Sequence, residues 1–253
     1  MKIKKNLAYR ENYGTKRSVD MIEYIVVHYT ANDGDSDEGN ANYFHNNKVS
    51  ASAHYFVDDD SITQSVPDDY VAWSVGGNLY ADHVSTGGGK LYKIASNSNT
   101  LNIEMCDSVK DGKIKASEAT MNRTARLIRE KMKRYNVDIG HVIRHFDVNG
   151  KHCPAYMMDT GAWKDFKARV LGYVVGGVYK ITKASFLRKS AGGMKADYSD
   201  LDEATKKKCK NAAGGAMIMK GKSFILEEVE SKGSQVWGKT KKGYWLPMNN
   251  TRA

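Results

Sequence analysis

The stretch "VIRHFDVNGKHCPAYM" (142–157) sets His145 and Cys153 on either side of a turn-forming "DVNGK", with Lys151 two residues before the thiol. A His and a Cys beside a turn can be plain packing. They can also be two of the three side chains that a catalytic zinc ion takes, its fourth position being left to water. The third would come from elsewhere, and His28 at the end of the apolar run "IEYIVVHYT" (22–30) is a candidate. In such a site Cys binds as the thiolate, which the metal itself holds deprotonated. Spacing alone leaves the metal and the packing readings both open.

Elements that would position these residues follow from the local pattern. The β-branched "IEYIVVHYT", bounded by "ANDGDSDEGN", reads as a buried strand ending near His28. "NANYFHNNK" (40–48) is a short helix, and "ASAHYFVDDDSITQSVP" (51–67) is strand, turn at Asp59-Asp60-Ser61, strand. "TLNIEMCDS" (100–108) is another buried strand with Glu104 in its middle. In "SEATMNRTARLIREKMKRYNV" (117–137), Ser117 is an N-cap and Met121, Ala125, Ile128 and Met132 recur on one helical face. The cations of that helix, Arg123, Arg126, Arg129, Lys131, Lys133 and Arg134, read as a solvated outer face rather than a DNA-recognition surface. "HVIRHFDV" continues as strand and loop, and "GAWKDFKARVLGYV" (161–174) as a last helix. Strands alternating with helices imply an α/β domain.

At "VVGGVYKITKASFLRK" the texture changes to Lys- and Gly-rich sequence with short strand-like pieces, the pattern of a small all-β barrel. Two domains are expected, 1–175 and 176–253. Charge divides the same way: of a net +10 over 253 residues, the part from Gly176 onward holds 16 Lys and Arg against 7 Asp and Glu, and the first 175 residues hold 23 against 22. A basic second domain beside a nearly neutral first one suggests an anionic partner for the second. The apolar content of 41 % can build a real core, yet no stretch approaches the ~20 apolar residues of a membrane span. The basic N-terminus lacks the apolar stretch of a signal peptide, so synthesis in the cytosol without a secretory address is expected. Cys106, Cys153 and Cys209 are too few and too scattered for a disulfide framework; Cys106 reads as a buried thiol and Cys209 as exposed.

Four separated motifs, "YIVVHYTA", "SASAHYFVDDDSITQSVPDDYVAWSVG", "NTLNIEMC" and "VIRHFDVNGKHCPAYM", occur in this order. Together they resemble the type 2 zinc-dependent N-acetylmuramoyl-L-alanine amidases, relatives of the peptidoglycan recognition proteins, from about Met21 to Leu171. The resemblance implies a mixed central sheet flanked by helices. It implies cleavage of the amide joining the lactyl group of N-acetylmuramic acid to L-alanine of the stem peptide. It also implies Zn2+ held by His28, His145 and Cys153, with Glu104 and Lys151 assisting catalysis. Glu104 would move a proton between water and the leaving amine, and Lys151 would stabilise the oxyanion. His54, on a strand of core-like residues, is a candidate substrate contact with a structural role as the alternative; Trp73 is a second substrate candidate. His152 is expected to point away from the metal. Where some relatives carry a Tyr before the "HYF" histidine this chain has Ala53, and where many carry a His after "VAW" it has Ser74.

The second part resembles a bacterial SH3-type wall-binding module. Its charge suits anionic wall polymers, and Tyr179, Trp237, Tyr244 and Trp245 could offer flat faces to sugar or peptide, although one of the last three being exposed is the expectation. The pairing is similar to that of phage endolysins acting on Gram-positive walls after holin-mediated release, a bacterial autolysin being the alternative. The competing classes are a non-catalytic peptidoglycan-binding protein on the same scaffold and a basic nucleic-acid protein. Cys153 speaks against the first of these, and the near-neutral first domain against the second, so no nucleic-acid partner is expected. A monomer is expected, or an oligomer whose size the sequence leaves open.

Overall fold

Ile25, Val26 and Val27 have no exposed surface, as a β-branched run does when both faces of its strand are covered. They form the middle of β3 (Tyr24–Tyr29) in a computed structural model that describes residues 2–212, 214–232 and 235–253. The chain divides into two compact units, Met1–Trp163 and Lys164–Ala253.

Among the described residues, the first unit is built on a six-stranded sheet. Its strands are β1 (Lys4–Lys5), β3, β4 (Tyr55–Val57), β5 (Ile62–Gln64), β7 (Thr100–Met105) and β8 (Val142–Arg144), in the order β1-β5-β4-β7-β3-β8. A small ribbon of β2 (Tyr13–Lys16) and β6 (Tyr70–Ala72) lies apart from it. β4, β7, β3 and β8 run parallel, so their carboxyl ends share one edge, whereas β5 is antiparallel to β4. The sheet is mixed. Its helices are α1 (Asp37–Asn46), the short α2 (His83–Thr86), α3 (Glu118–Tyr135) and α4 (His145–Asn149), and only the first residues of α5 (Thr160–Val170) belong to it.

Side chains alternate along each strand, and the register sets His28 beside Glu104 and Glu104 beside Phe56. That face is covered by α1, whose Phe44 stacks on Phe56 at 5.4 Å between centroids. The opposite face, which carries Tyr55, is covered by α3, N-capped by Ser117 as its sequence requires. After β8 the structure replaces the expected loop with α4. The Asp147 carboxylate accepts from the Arg144 backbone N–H at 2.8 Å and closes a capping box.

One lysine of α3 departs from the expected solvated face. Lys131 is buried, donating to Asp68 at 2.5 Å, and Asp68 also accepts from the hydroxyls of Tyr55 and Tyr135. An amphipathic pattern cannot report this, because the carboxylate that receives Lys131 sits 63 residues away in a loop.

The second unit, with its small helix α6 (Glu203–Lys206), has two antiparallel sheets. One joins β10 (Ser185–Phe186), β12 (Gly215–Ile218) and β11 (Cys209–Ala212). The other orders β15 (Trp245–Pro247), β14 (Gln235–Thr240), β13 (Ser223–Lys232), β9 (Val178–Ile181) and β16 (Thr251–Arg252). Ile181, Leu187, Leu226 and Leu246 centre its core, against which Leu171, Tyr173 and Val175 pack. Ala168 of α5 belongs to the same core, and the division falls inside α5, before the change of texture at 175/176. Three of the four aromatic residues expected to face wall polymer are core instead: Tyr179, Trp237 and Trp245 are 4 %, 9 % and 7 % exposed. Tyr244 is half-buried, its hydroxyl donating to the Asp200 carbonyl at 3.3 Å. In a unit this small the large rings are needed to fill the interior. Cys209, expected on the surface, is also half-buried against this core.

Removing one partner of a buried ion pair strands the other charge and costs about 3–5 kcal/mol. Lys131→Met alone should therefore lower the unfolding free energy by about 3 kcal/mol. Combining it with Asp68→Leu should recover part of that loss, as a double-mutant cycle in urea would read.

Candidate metal centre and catalytic cleft

His28 lies near the carboxyl end of β3, Glu104 near that of β7, and His145 directly after β8. This is the edge of a parallel sheet where ligands usually bind. Cys153 returns to the same place through the turn after α4. Gly150 makes that turn possible with φ +88°, and a Cβ there would come within 3.0 Å of His83 Cβ. The backbone then locks: Phe146 N–H donates to the Cys153 carbonyl at 3.1 Å. Arg144 forks onto Asp147 and donates to the Met157 carbonyl at 2.7 Å, which ties down both ends of the loop.

The result is a cluster of two imidazoles and one thiol whose donor atoms all lie within 4.8 Å of one another. Cys153 Sγ is 3.8 Å from His28 Nδ1, and the two imidazole rings are 4.8 Å apart between centroids. All three residues are buried. His28 Nε2 lies 3.1 Å from Asn102 Oδ1, an acceptor, so that nitrogen carries the proton and Nδ1 keeps its lone pair toward the cluster. Asn102 is oriented in turn by donating to Thr100 Oγ1 at 3.0 Å.

Two observations test whether a cation fits. Neither ring nitrogen of buried His145 has a hydrogen-bond partner among the described residues, which is costly unless something else satisfies one of them. Burial also holds His28 down to about 4 and His145 down to about 2, so both imidazoles are neutral ligands. Burial and the nearby Glu104 push the Cys153 thiol up to about 12, so it yields its proton only to a cation. Two nitrogens and one sulfur in a buried triangle are a donor set suited to zinc.

Glu104 stands at the rim. Its Oε1 is 3.9 Å from His28 Nδ1, while Oε2 is buried with no hydrogen-bond partner among the described residues. Burial raises this carboxyl to about 8 against the opposing pull of Lys151. A cleft of about 750 Å³ opens over Glu104 and Cys153, walled by Tyr29, Phe44 and Trp73. A second recess of about 450 Å³ opens over His145 and Asn149 beneath the loop Gly76–Tyr80. Lys151 and Ser74 line both. The site thus sits where two recesses meet. His152 turns outward to Asp82, 2.9 Å away.

His54 is not a substrate contact. It has no exposed surface, its Nδ1 accepts from the Asn102 N–H at 3.0 Å, and its Nε2 meets the Tyr70 carbonyl at 3.1 Å. Burial and the Arg17 guanidinium hold it down to about 3, so it is neutral. It pins the strand residue that orients His28. Asn102 itself was missed in the sequence, although an Asn two residues before Glu104 in an apolar strand, on the same face, was the available signal. The Arg144–Asp147 fork had no comparable signal. Cys106 is fully buried beside α1, and Ala53 lines the cleft without a hydroxyl to offer.

Comparison with known proteins agrees with this geometry. A family profile described as N-acetylmuramoyl-L-alanine amidase matches residues 17–156. The N-acetylmuramoyl-L-alanine amidase CwlA of Bacillus subtilis is 32 % identical over 194 residues, covering 75 % of this chain and 65 % of that protein. XlyB of the same organism, of the same description, is 32 % identical over 179 residues, 70 % of this chain and 51 % of its own. The chain thus spans half to two thirds of the length of these two relatives. Among solved structures, PlyL shares 30 % identity at a TM-score of 0.53, over 67 % of this chain and 97 % of that one. The catalytic domain of XlyA shares 27 % at 0.53, over 67 % and 99 %. With its family profile spanning more than half of the sequence, the chain belongs to the type 2 N-acetylmuramoyl-L-alanine amidase family.

Proposed function

We propose that the protein is a zinc-dependent peptidoglycan hydrolase that cleaves the amide between N-acetylmuramic acid and L-alanine of the stem peptide. The observation that carries this reading is the convergence of His28, His145 and Cys153 into one triangle with Glu104 at its rim. Zinc, when bound by these three residues, supplies Lewis-acid polarisation of the scissile carbonyl and acidifies a water at the site.

The chain's own groups do the rest. Glu104 lines the cleft and, in its carboxylate form, accepts the proton of the attacking water and returns it to the leaving amine, a pKa raised to about 8 suiting it to both tasks near neutrality. Lys151, shared by both recesses, places its ammonium where the oxyanion develops. Asn102 and His54 hold the His28 ring in one tautomer and orientation. With Ala53 in place of a tyrosine, no phenol assists the carbonyl, and the weight falls on Glu104 and Lys151. Trp73 and Phe44 wall the cleft and offer apolar faces to the substrate.

The second unit is read as an SH3-like module that carries the enzyme to anionic polymers of a Gram-positive wall. Its Lys- and Gly-rich sequence and its two small sheets around one core support this. Tethering raises the local concentration of substrate. A phage endolysin, made in the cytoplasm and released to the wall by a holin, fits this combination.

Mass spectrometry of digested wall should show free stem peptides beginning at L-alanine and intact glycan, with release stopped by a chelator; glycan or cross-link cleavage instead would sink the reading. Cys153→Ser should lose bound zinc and turnover together. Glu104→Gln should keep zinc and fold while kcat drops by about 10²–10⁴. Asn102→Ala should weaken zinc affinity by about 10–100-fold, measured by competition with a coloured chelator.

A further inference from the structure

We infer that the second unit docks a linear phosphodiester polyanion, of the teichoic-acid kind, on a cationic ledge formed by Lys180, Lys208, Lys220, Lys222 and Arg252. This rests on the wall-targeting reading above and replaces its aromatic contacts with charge.

The argument begins with how the charges are segregated. Among the described residues, Asp197 and Asp200 pair with Lys189, Asp202 with Lys242 and Glu203 with Lys206. Glu227 pairs with Lys239, and Glu228 with both Lys164 and Lys239. The unit's carboxylates are therefore largely spent on lysines outside the ledge. None of the five ledge cations has an ion-pair partner among the described residues, and all five are exposed.

The backbone then gathers them. Lys180 lies in ladder register with Ser223 on one side and Arg252 on the other. Lys208 reaches the same rung, its Nζ donating to the Ser223 carbonyl at 2.9 Å. Its own carbonyl accepts from Met219 N–H at 3.0 Å, at the start of the turn that carries Lys220 and Lys222 around Gly221. Neighbouring strands are about 4.8 Å apart, so Lys180 and Arg252 stand side by side. Like charges directly opposite on paired strands are destabilising. A polyanion laid along the ledge removes that repulsion, and a row of cations suits a chain of repeated anions better than a single one.

Two features select the polymer. The ledge is four lysines to one arginine, and an ammonium binds phosphate as a point charge without needing one fixed orientation of its oxygens. Tyr179, Trp237 and Trp245 are buried and offer no face for bases to stack on, which disfavours single-stranded nucleic acid.

The test uses the full chain and its Lys180→Glu/Lys208→Glu/Lys222→Glu variant. A control of equal charge change, Lys189→Glu/Lys206→Glu/Lys242→Glu, separates the ledge from net charge, and circular dichroism verifies the fold of each. If a variant fails to fold, the three corresponding Lys→Gln changes take its place. Adsorption is measured on purified wall with its phosphodiester polymer retained or chemically stripped. The ledge variant should bind polymer-bearing wall about tenfold or more weakly at low salt, and stripping should bring wild type to the same level. The control should stay within about threefold of wild type. Equal wild-type binding to stripped wall, equal loss in the control, or tighter binding to duplex DNA than to the polymer would overturn the inference. Turnover on a soluble muramyl peptide, followed in parallel, reports the amidase reading separately, because that substrate carries no polymer.

Discussion

A slip of one residue in the parallel pairing of β3 with β7 would turn every side chain of one strand to the opposite face of the sheet. In the observed register His28 stands beside Glu104, and Asn102, two residues back on the same face, meets the outer nitrogen of the His28 ring. A candidate metal ligand, the group that orients it and the proposed proton carrier thus depend on one ladder. What holds that ladder is not the site itself. Ile25, Val27, Leu101 and Ile103 are wholly buried, and the loss of that burial opposes any slip. The conservative part of the structure, apolar and β-branched, sets the geometry of its reactive part.

The remaining ligands come from chain that the sheet does not hold directly. His145 opens α4, and Cys153 follows the Gly150 turn, so their approach depends on local fasteners: the Arg144–Asp147 fork and the bond from Phe146 to the Cys153 carbonyl. The polar groups of the site are costly by the ordinary standard of interiors. Among the described residues neither His145 nor Glu104 Oε2 has a hydrogen-bond partner, and the burial that keeps the imidazoles neutral also keeps the thiol protonated. A cation held by the three side chains would resolve the histidine and cysteine parts of that cost together. The destabilised donors are the physical counterpart of metal affinity, since whatever satisfies them is bound by the same free energy.

The second unit handles charge and apolar surface in the opposite way. Its aromatic rings go inward, because a small double sheet needs their volume, and its surplus of lysine is left outside. Composition alone suggested an anionic partner for this unit, with aromatic faces as a second possible contact. The rings fill the interior, and the recognition proposed for this unit falls to the cations.

Sequence by itself determined the strands and helices of the first unit closely. β-branched runs and the Ser117-capped amphipathic helix are local signals, decided by residues within a few positions of one another. It also singled out His28, Glu104, Lys151, His145 and Cys153 as candidates, through the family resemblance that four ordered motifs carry and not through their spacing. Tertiary structure alone decided where those side chains meet, since His28 and Cys153 are 125 residues apart. Only the fold could show that His54 braces the site from within, that Lys131 is buried against Asp68, and that three of four candidate aromatics are core. Each of these depends on a partner supplied by a distant segment. Burial is a property of what packs against a residue, and no window of sequence around that residue contains it.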